Sequence, residues 1–222
     1  MRKYIYSIFL LGLFSCQEEG VVQYTQEKDG LQFSANSSED MTKVFNFATA
    51  TYEEEINGEP KTFYYGDSLA AYTFERVVLD LQGFPTPDER EYKLKTVLVE
   101  DQDSSKVAEV VFEPYYSLAP NQLKDTIKIT VLRPKTRGTY TVGITVDTEG
   151  KGAFFDKGVV EKSILRLDIK DVYEQPEGWD ERQEWLGEFD EEKYAFMVTV
   201  SKQAFSKENN HMWNETDKYN LE

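Results

Sequence analysis

Residues 125–132 read Asp-Thr-Ile-Lys-Ile-Thr-Val-Leu, and their side chains alternate between apolar and polar types. In an extended chain, Ile127, Ile129 and Val131 fall on one side, and the polar residues between them fall on the other. This alternation predicts a β-strand that turns one face to a hydrophobic core and the other to water.

The same pattern recurs on both sides of this stretch. It is found in residues 72–81, 91–99, 139–146 and 163–172. A change of phase near Arg76 predicts a β-bulge in the first of these segments. Asn57-Gly58 and Arg137-Gly138 are turn signals between strand-like segments. About eight strands with hardly any helical periodicity predict an antiparallel β-sandwich. One face of each sheet is expected to be exposed to solvent.

Residues 91–99 alternate as regularly as the opening stretch. Tyr92, Leu94, Thr96 and Leu98 occupy one set of positions, with mainly charged residues between them. We therefore expect a single continuous strand that places these four side chains on one face.

The sequence pattern changes after residue 173. Residues 175–178 (Gln-Pro-Glu-Gly) predict a hinge, and residues 179–186 predict a short helix that ends at Gly187. Asp190 is a candidate cap for a second helix, although the β-branched residues 198–200 leave a strand as the alternative. The sequence thus predicts a β-sandwich domain over residues 31–173 and a C-terminal segment, residues 174–222, with one or two short helices.

The N-terminus has the features of an export signal. Arg2 and Lys3 precede an apolar run over residues 5–14, which ends at Ser15 and Cys16. That run is about half of the ~20 residues that a membrane-spanning helix needs. It predicts a removable signal peptide over residues 1–15, followed by a polar tether over residues 16–30.

The end of this signal resembles the lipobox of bacterial lipoproteins, in the sequence Leu13-Phe14-Ser15-Cys16. In such proteins the cysteine thiol receives a diacylglycerol and the signal is cut just before it. The resemblance implies that Cys16 is the lipid-attachment residue and that acyl chains hold the protein on a membrane. Gln17-Glu18-Glu19 resembles a surface-export signal of lipoproteins in gut Gram-negative bacteria; an acidic, solvated linker is the alternative.

Several short motifs together resemble a family of small lipoproteins of unknown function from gut Gram-negative bacteria. They are the lipobox, Leu81-Gln82-Gly83-Phe84-Pro85, residues 126–132, and Trp185-Leu186-Gly187-Glu188-Phe189 followed by Lys193-Tyr194. Members are often encoded beside SusC/SusD-type glycan-uptake genes. The resemblance implies an immunoglobulin-like or Calx-beta-like sandwich and an outer-membrane location facing the cell exterior. It implies no known activity and no functional residue beyond Cys16.

Charge and residue content narrow the classes of function. The formal charge is −16, and removal of Arg2 and Lys3 with the signal would make it −18, which disfavours nucleic-acid partners. His211 is the single histidine and Cys16 the single cysteine. The chain therefore has few of the side chains that a Ser-His-Asp triad or a histidine metal site requires. We expect a protein that is not an enzyme and needs no cofactor, although a two-carboxylate glycosidase needs only Asp and Glu.

The loop at residues 101–104 (Asp-Gln-Asp-Ser) offers side-chain oxygen ligands at alternate positions, as a calcium loop does. Calcium prefers such ligands, but the glycine and the distal bidentate Glu of an EF-hand loop are missing. A solvated loop without a metal is the simpler interpretation, and we expect no metal site.

Aromatic residues are the candidate ligand contacts, because a ring can stack on the apolar face of a pyranose. The candidates are Tyr64, Tyr65, Tyr115 and Tyr116. Neighbouring residues of a strand point to opposite faces, so we expect one tyrosine of each pair in the core and one exposed. Trp179, Trp185 and Trp213 are further candidates, but the first two are spaced to fix a helix to a sheet.

These features favour a non-enzymatic surface lipoprotein that assists nutrient capture at the outer membrane. It would bind a glycan or dock to a transporter complex. The alternative is a structural or adhesive surface module without a small-molecule ligand.

Overall fold

The computed structural model describes residues 28–35, 41–150 and 153–202. The strands in these residues are β1 (Gly30–Phe33), β2 (Thr42–Asn46), β3 (Thr51–Ile56), β4 (Glu59–Tyr64), β5 (Ala71–Gln82), β6 (Arg90–Tyr92), β7 (Leu94–Val97), β8 (Val110–Val111), β9 (Tyr116–Leu118), β10 (Lys124–Leu132), β11 (Gly138–Val146), β12 (Asp156–Lys157) and β13 (Leu165–Asp171). The helices are α1 (Gln183–Leu186) and α2 (Glu191–Ser201), and short 3-10 turns are formed by Gly66–Ser68, Val160–Lys162 and Asp180–Arg182.

Two sheets form the body of the molecule. One has the strand order β12-β1-β5-β10-β8, and the other has the order β2-β13-β11-β7. Leu79 and Ile129 from the first sheet share one hydrophobic core with Ile144 and Leu167 from the second, and all four are fully buried. The fold is therefore mainly β, a sandwich of two sheets, as the alternating pattern predicts.

The sandwich is mostly antiparallel but contains two parallel pairs. β1 runs parallel to β12, and β2 runs parallel to β13. In both pairs the strands are more than 100 residues apart in the chain. The alternation of side chains gives the faces of a strand but not the direction of its neighbour, so the sequence did not predict these pairs.

The bulge predicted near Arg76 is confirmed. β5 has one residue more than β10 between the pair Val77–Ile127 and the pair Phe74–Ile129. The extra residue moves Arg76 away from an inward position and lets Val77 enter the core instead.

The single strand expected over residues 91–99 is wrong. The chain changes partner at Lys93, because β6 pairs with β9 whereas β7 pairs with β11 in the second sheet. Tyr92 and Leu94 are buried as expected, but Thr96 is exposed and Leu98 is 62% exposed. A strand that moves between sheets does not keep one face inward along its whole length.

The β3–β4 hairpin turns at Asn57-Gly58, as the sequence predicts. Both residues have positive φ, 57° and 82°, which is the backbone shape that a two-residue hairpin turn requires. At the base of the hairpin, the Tyr64 amide donates a hydrogen bond of 2.8 Å to the Lys202 carbonyl. The hairpin therefore contacts the C-terminal helices.

The described part of the C-terminal segment, residues 174–202, contains two helices. The second of them, α2, includes residues 198–200, so the helix and not the strand is correct there. Asp190 caps α2 as predicted, since its Oδ1 accepts a 2.8 Å hydrogen bond from the Lys193 amide. Gly187 follows α1 with φ 71°. These elements enclose a second hydrophobic core formed by Ala48, Tyr173, Trp179, Tyr194, Ala195, Met197 and Val198. Neither helix of this described part of the chain is long and apolar enough to cross a bilayer.

Candidate functional site

The structure does not bring the four candidate tyrosines together in one site. Tyr64 and Tyr65 lie at the end of the hairpin, and Tyr115 and Tyr116 lie where β9 begins. Tyr116 is 8% exposed and Tyr115 is 56% exposed, so the expected division into a core ring and an exposed ring is confirmed for this pair. It is wrong for the other pair, in which both rings are half-buried.

The backbone explains the difference between the two pairs. Tyr65 lies beyond the end of β4 and has φ −64° and ψ −29°, which is a helical conformation. Opposite faces for neighbouring residues are a property of extended chain only. Tyr65 therefore packs against Tyr52, with the ring centroids 4.9 Å apart.

The exposed ring of Tyr115 lies at a cleft of about 300 Å³, which we call the aromatic cleft. Its lining includes Glu91, Tyr92, Lys93, Tyr115, Asp147, Phe154 and Phe155. These residues come from three segments of the chain: β6 with the residue after it, the residue before β9, and the connection from β11 to β12.

Buried aromatic rings support the cleft from below. Tyr92 stacks on Tyr116 with centroids 5.6 Å apart, and it meets the edge of Phe155 at 6.1 Å. On Phe155 lies the guanidinium of Arg90, 4.8 Å from the ring centroid, and Arg90 is paired with Asp29 at 2.6 Å. These contacts fix the base of the cleft before any ligand arrives.

Two consecutive aromatic pairs build the cleft in the same way. In Tyr115-Tyr116 and in Phe154-Phe155, the second ring is buried in the core. The first ring is exposed at the cleft, by 56% for Tyr115 and 54% for Phe154. Phe154 is not among the site residues predicted from the sequence, although the same doublet of aromatic residues marks it.

Hydrogen bonds within the protein occupy the hydroxyl groups of the base. The Tyr92 hydroxyl donates to Asp125 Oδ2 at 2.6 Å, and the Tyr116 hydroxyl accepts from the Glu113 amide at 3.2 Å. Burial raises the pKa of Tyr92 far above its usual value, and the bond to Asp125 raises this pKa further. The Tyr92 hydroxyl is therefore neutral at physiological pH and engaged by Asp125.

Three carboxylates and two lysines surround the aromatic cleft, so its local formal charge is about −1. Lys95 Nζ lies 3.2 Å from Asp147 Oδ1 and 3.1 Å from Glu149 Oε1. Hydrogen bonds from the Glu149 backbone and from Lys95 hold the pKa of Asp147 below its usual value, so its carboxylate stays ionised. Glu91 and Lys93 add one exposed group of each sign. The cleft thus offers polar groups beside apolar rings without a strong net charge.

Tyr64 lines a second cleft, of about 410 Å³, beside the C-terminal helices. Its other aromatic residues, Tyr173 and Tyr194, are almost fully buried and meet edge to face with centroids 5.5 Å apart. Burial raises the pKa of Tyr64. The rings of this cleft belong mainly to the second core, so it is the weaker candidate for a ligand.

The tryptophans divide between structural and exposed positions. Trp179 is fully buried in the second core, and its Nε1–H donates to the Gly187 carbonyl at 3.1 Å. The structural interpretation is therefore confirmed for Trp179, whereas Trp185 is 57% exposed. Trp213, His211 and Cys16 lie outside the described residues.

The loop at residues 101–104 uses its polar atoms to hold its own shape. Gln102 accepts from the Val99 amide and donates to the Thr141 carbonyl, while Asp103 Oδ1 accepts from the amide and hydroxyl of Ser105. In the ranges 28–35, 41–150 and 153–202, no group of three or more His, Cys, Asp or Glu is placed to hold a metal ion.

Comparison with known proteins gives a family but no activity. A family model described as a domain of unknown function, DUF4843, matches residues 67–203. No curated protein sequence matches the chain.

Two solved structures resemble the chain weakly. The apo-form Calx CBD1 domain has 11% identity and a TM-score of 0.37, over 65% of this chain and 98% of that one. EndoBT-3987 of Bacteroides thetaiotamicron, solved with a Man5GlcNAc product, has 10% identity and a TM-score of 0.37, over 64% of this chain and 30% of that one. Similarity at this level says nothing about what the present chain binds.

Proposed function

The chain belongs to the DUF4843 family, a family of unknown function, and we propose that it is a non-enzymatic, lipid-anchored surface protein that captures an uncharged glycan in the aromatic cleft. The observation that carries the proposal is the pair of exposed rings, Tyr115 and Phe154, beside carboxylate and ammonium groups. Ligand sites typically combine apolar surface with a few polar groups that fix orientation. A pyranose presents both an apolar face and a ring of hydroxyl groups, so it matches this combination.

The balance of charge favours a neutral sugar over an acidic one. Lys93 and Lys95 offset two of the three nearby carboxylates, those of Glu91, Asp147 and Glu149, and the mature chain as a whole would carry a formal charge of −18 after loss of Arg2 and Lys3 from −16. A strongly acidic surface repels polyanionic chains at long range.

Two carboxylates near the cleft, those of Asp147 and Asp125, are suited to binding and not to acid catalysis. A glycosidase needs one carboxyl group that stays protonated to act as an acid. The pKa of Asp147 is instead lowered, and the Asp125 carboxylate accepts the hydrogen bond of Tyr92. These two groups are suited to holding sugar hydroxyls and the floor of the cleft, respectively.

The lipid anchor rests on the lipobox that ends at Cys16. Thirteen residues, 17–29, separate Cys16 from β1. A chain of this length spans at most about 45 Å, so it can hold the sandwich clear of the lipid headgroups. Three acyl chains would make the attachment practically permanent, and Gln17-Glu18-Glu19 supports an exterior position on the outer membrane. An exterior location on the outer membrane would expose the cleft to glycans outside the cell.

Replacing Cys16 with serine is expected to move the protein from the membrane fraction to the soluble or precursor fraction, because the acceptor thiol is lost. Mass spectrometry of the wild-type N-terminus should show acyl chains on Cys16 and no residues 1–15. Circular dichroism of the variant should be unchanged, since the sandwich begins after the tether. A wild-type protein with an unmodified thiol would contradict the anchor.

Replacing Tyr115 with alanine is expected to weaken glycan binding about tenfold, or ~1.4 kcal/mol, because one stacking surface is removed. A panel of neutral polysaccharides in affinity gel electrophoresis identifies the ligand, and calorimetry with its oligosaccharide gives the affinity. Tyr115→Phe should keep most of the affinity, since it retains the ring.

The matched control is Phe196→Ala, which removes a ring that is 59% exposed on α2 and outside the cleft. It should bind as the wild type does. Equal binding by Tyr115→Ala and the wild type, or no retention by any polysaccharide, would refute the aromatic cleft as a sugar site.

Docking to an outer-membrane transporter is the second candidate function. It is favoured by apolar side chains exposed on the C-terminal helices: Trp185, Phe196 and Val200. Crosslinks from these positions to a transporter, lost in Phe196→Ala but kept in Tyr115→Ala, would support docking. If the protein binds no glycan and crosslinks to no transporter, the structural or adhesive alternative is supported.

A further inference from the structure

Most arginines of the described residues are held by carboxylates. Arg90 pairs with Asp29, Arg133 and Arg137 pair with Asp171, and Arg166 pairs with Asp168. Within the described ranges, Arg76 has no hydrogen bond or ion pair through its side chain.

The bulge in β5 explains why Arg76 has no acidic partner on its own sheet. Lys128 of β10 faces two residues of β5, and its ammonium pairs with Glu75 at 2.5 Å. Glu75 is thereby occupied, and Arg76 is the additional residue that the bulge turns aside. Bulges commonly redirect a side chain in this way next to functional sites.

Arg76 lies at a small cleft that is lined by residues of both sheets, which we call the basic cleft. Its volume is about 210 Å³, and its lining includes Ser34 after β1, Lys43 of β2 and Arg76 of β5. Lys43, like Arg76, has no ion pair in the part of the chain that the structure describes. Two cations from different sheets therefore border one concave space, with the backbone after β1 beside them.

Further contacts fix the wall of this cleft. Lys162 Nζ donates to the Ala35 carbonyl at 2.8 Å, and the Ser34 amide donates to the Val78 carbonyl at 2.8 Å. These bonds hold the chain after β1 against β5. The position of Ser34 relative to Arg76 is therefore set by the fold and does not require a ligand.

We propose that the basic cleft binds the anionic group of a small ligand: a carboxylate, a sulfate or a phosphate. A guanidinium presents a planar fork of donors that matches such groups, and an ammonium adds a second point charge. The volume is below the ~300 Å³ at which pockets for drug-sized ligands begin, so it suits a single acidic group. The basic cleft shares no lining residue with the aromatic cleft, and its occupancy does not depend on the proposed glycan function.

The test is calorimetric titration of the full-length protein in a nonionic detergent. The probes are sulfate, inorganic phosphate and D-glucuronate, with D-glucose as the uncharged control at matched ionic strength. We expect a Kd on the order of 1 mM for at least one anion, weakened by added salt because the site is partly exposed. No binding of any anion above the chloride background would overturn the proposal. Binding of D-glucose that is weakened by Arg76→Gln as much as anion binding is would also overturn it, whereas glucose binding that is lost only in Tyr115→Ala belongs to the aromatic cleft.

Two variants locate the site. Arg76→Gln and Lys43→Gln should each weaken binding about tenfold, whereas Lys61→Gln, at an exposed lysine of the hairpin, should leave it unchanged. An equal loss in all three variants would show non-specific attraction and would contradict the site. Thermal unfolding of each variant without an anion controls for loss of fold, and Arg76→Lys, which keeps the charge, should retain part of the affinity. Retention on vesicles of anionic lipid without binding of any free anion would overturn the small-ligand assignment.

Discussion

Replacing Trp179 with alanine is expected to lower the free energy of unfolding of the C-terminal segment by about 3–5 kcal/mol. The ring is fully buried and lies edge to face against Phe189 and Tyr194, with centroids 5.3 and 5.6 Å away. The Trp179 Nε1–H also donates a 3.1 Å hydrogen bond to the carbonyl oxygen of Gly187, which lies between α1 and α2. The substitution would leave a cavity in the second core and remove the donor of that carbonyl.

Urea denaturation followed by circular dichroism measures this loss, and hydrogen exchange shows where it falls. Amides of α2 should lose protection first, since the second core is distinct from the core between the sheets. Trp185→Ala is the matched control and should change the stability by no more than about 0.5 kcal/mol, because that ring is largely exposed. Equal effects of the two substitutions would refute the structural role of Trp179.

The second large effect is expected for Asp171→Ala, which should cost about 3–5 kcal/mol of stability. The Asp171 carboxylate accepts hydrogen bonds from Arg133 Nε at 2.8 Å and Nη2 at 2.7 Å, and from Arg137 Nη1 at 3.4 Å. The Asp171 and Arg133 side chains are only 5% and 11% exposed. Removal of the Asp171 carboxylate would leave the buried Arg133 guanidinium with only the Gly66 carbonyl and Asp67 as acceptors among the described residues.

This ion-pair group connects the end of the sandwich with the second core. Asp171 ends β13, and Asp67 lies in the 3-10 turn after the hairpin. The guanidinium of Arg137 lies 4.9 Å from the centroid of the Tyr173 ring, which belongs to the second core. Loss of Asp171 should therefore loosen both parts of the molecule in hydrogen exchange.

Glu75→Ala provides the control for Asp171→Ala, because it breaks an ion pair with Lys128 in which both side chains are more than 60% exposed. Such a pair should contribute at most about 1 kcal/mol. Chemical denaturation of both variants gives the comparison. A cost for Asp171→Ala as small as that for Glu75→Ala would contradict the account of a buried, connecting network.

Local sequence patterns predicted those parts of the fold that neighbouring residues determine. Strict alternation located β10 and β11, and its change of phase located the bulge at Arg76. The side chain of Asp190 identified the start of α2 because capping is a contact between residues three apart. Each of these features depends on interactions within a few residues of the chain.

Features that depend on distant residues escaped the sequence analysis. The parallel pairs of β1 with β12 and of β2 with β13 join strands from opposite ends of the chain. The change of sheet at Lys93 depends on which partners β6 and β7 find, and alternation continues unchanged through that point. Pairing direction and sheet membership are set by packing over long distances, which a single sequence does not display.

The candidate site also combines features that neighbouring residues determine with features that depend on distant parts of the chain. The exposed Tyr115 beside the buried Tyr116 follows the alternation predicted from the sequence, whereas Tyr65 takes a helical backbone that the sequence did not signal. Phe154 becomes part of the site only because the connection between β11 and β12 folds back beside β6. The aromatic cleft is thus a product of the tertiary fold.

Hydrogen-exchange mass spectrometry of the full-length protein shows directly whether a glycan binds in the aromatic cleft. The protein is compared with and without an oligosaccharide of the polysaccharide that it binds in affinity electrophoresis. We expect slower exchange in peptides that contain Tyr92, Tyr115 and Phe154, and no change in peptides from α2. Protection of α2 or of the β3–β4 hairpin, with the aromatic cleft unaffected, would contradict this expectation.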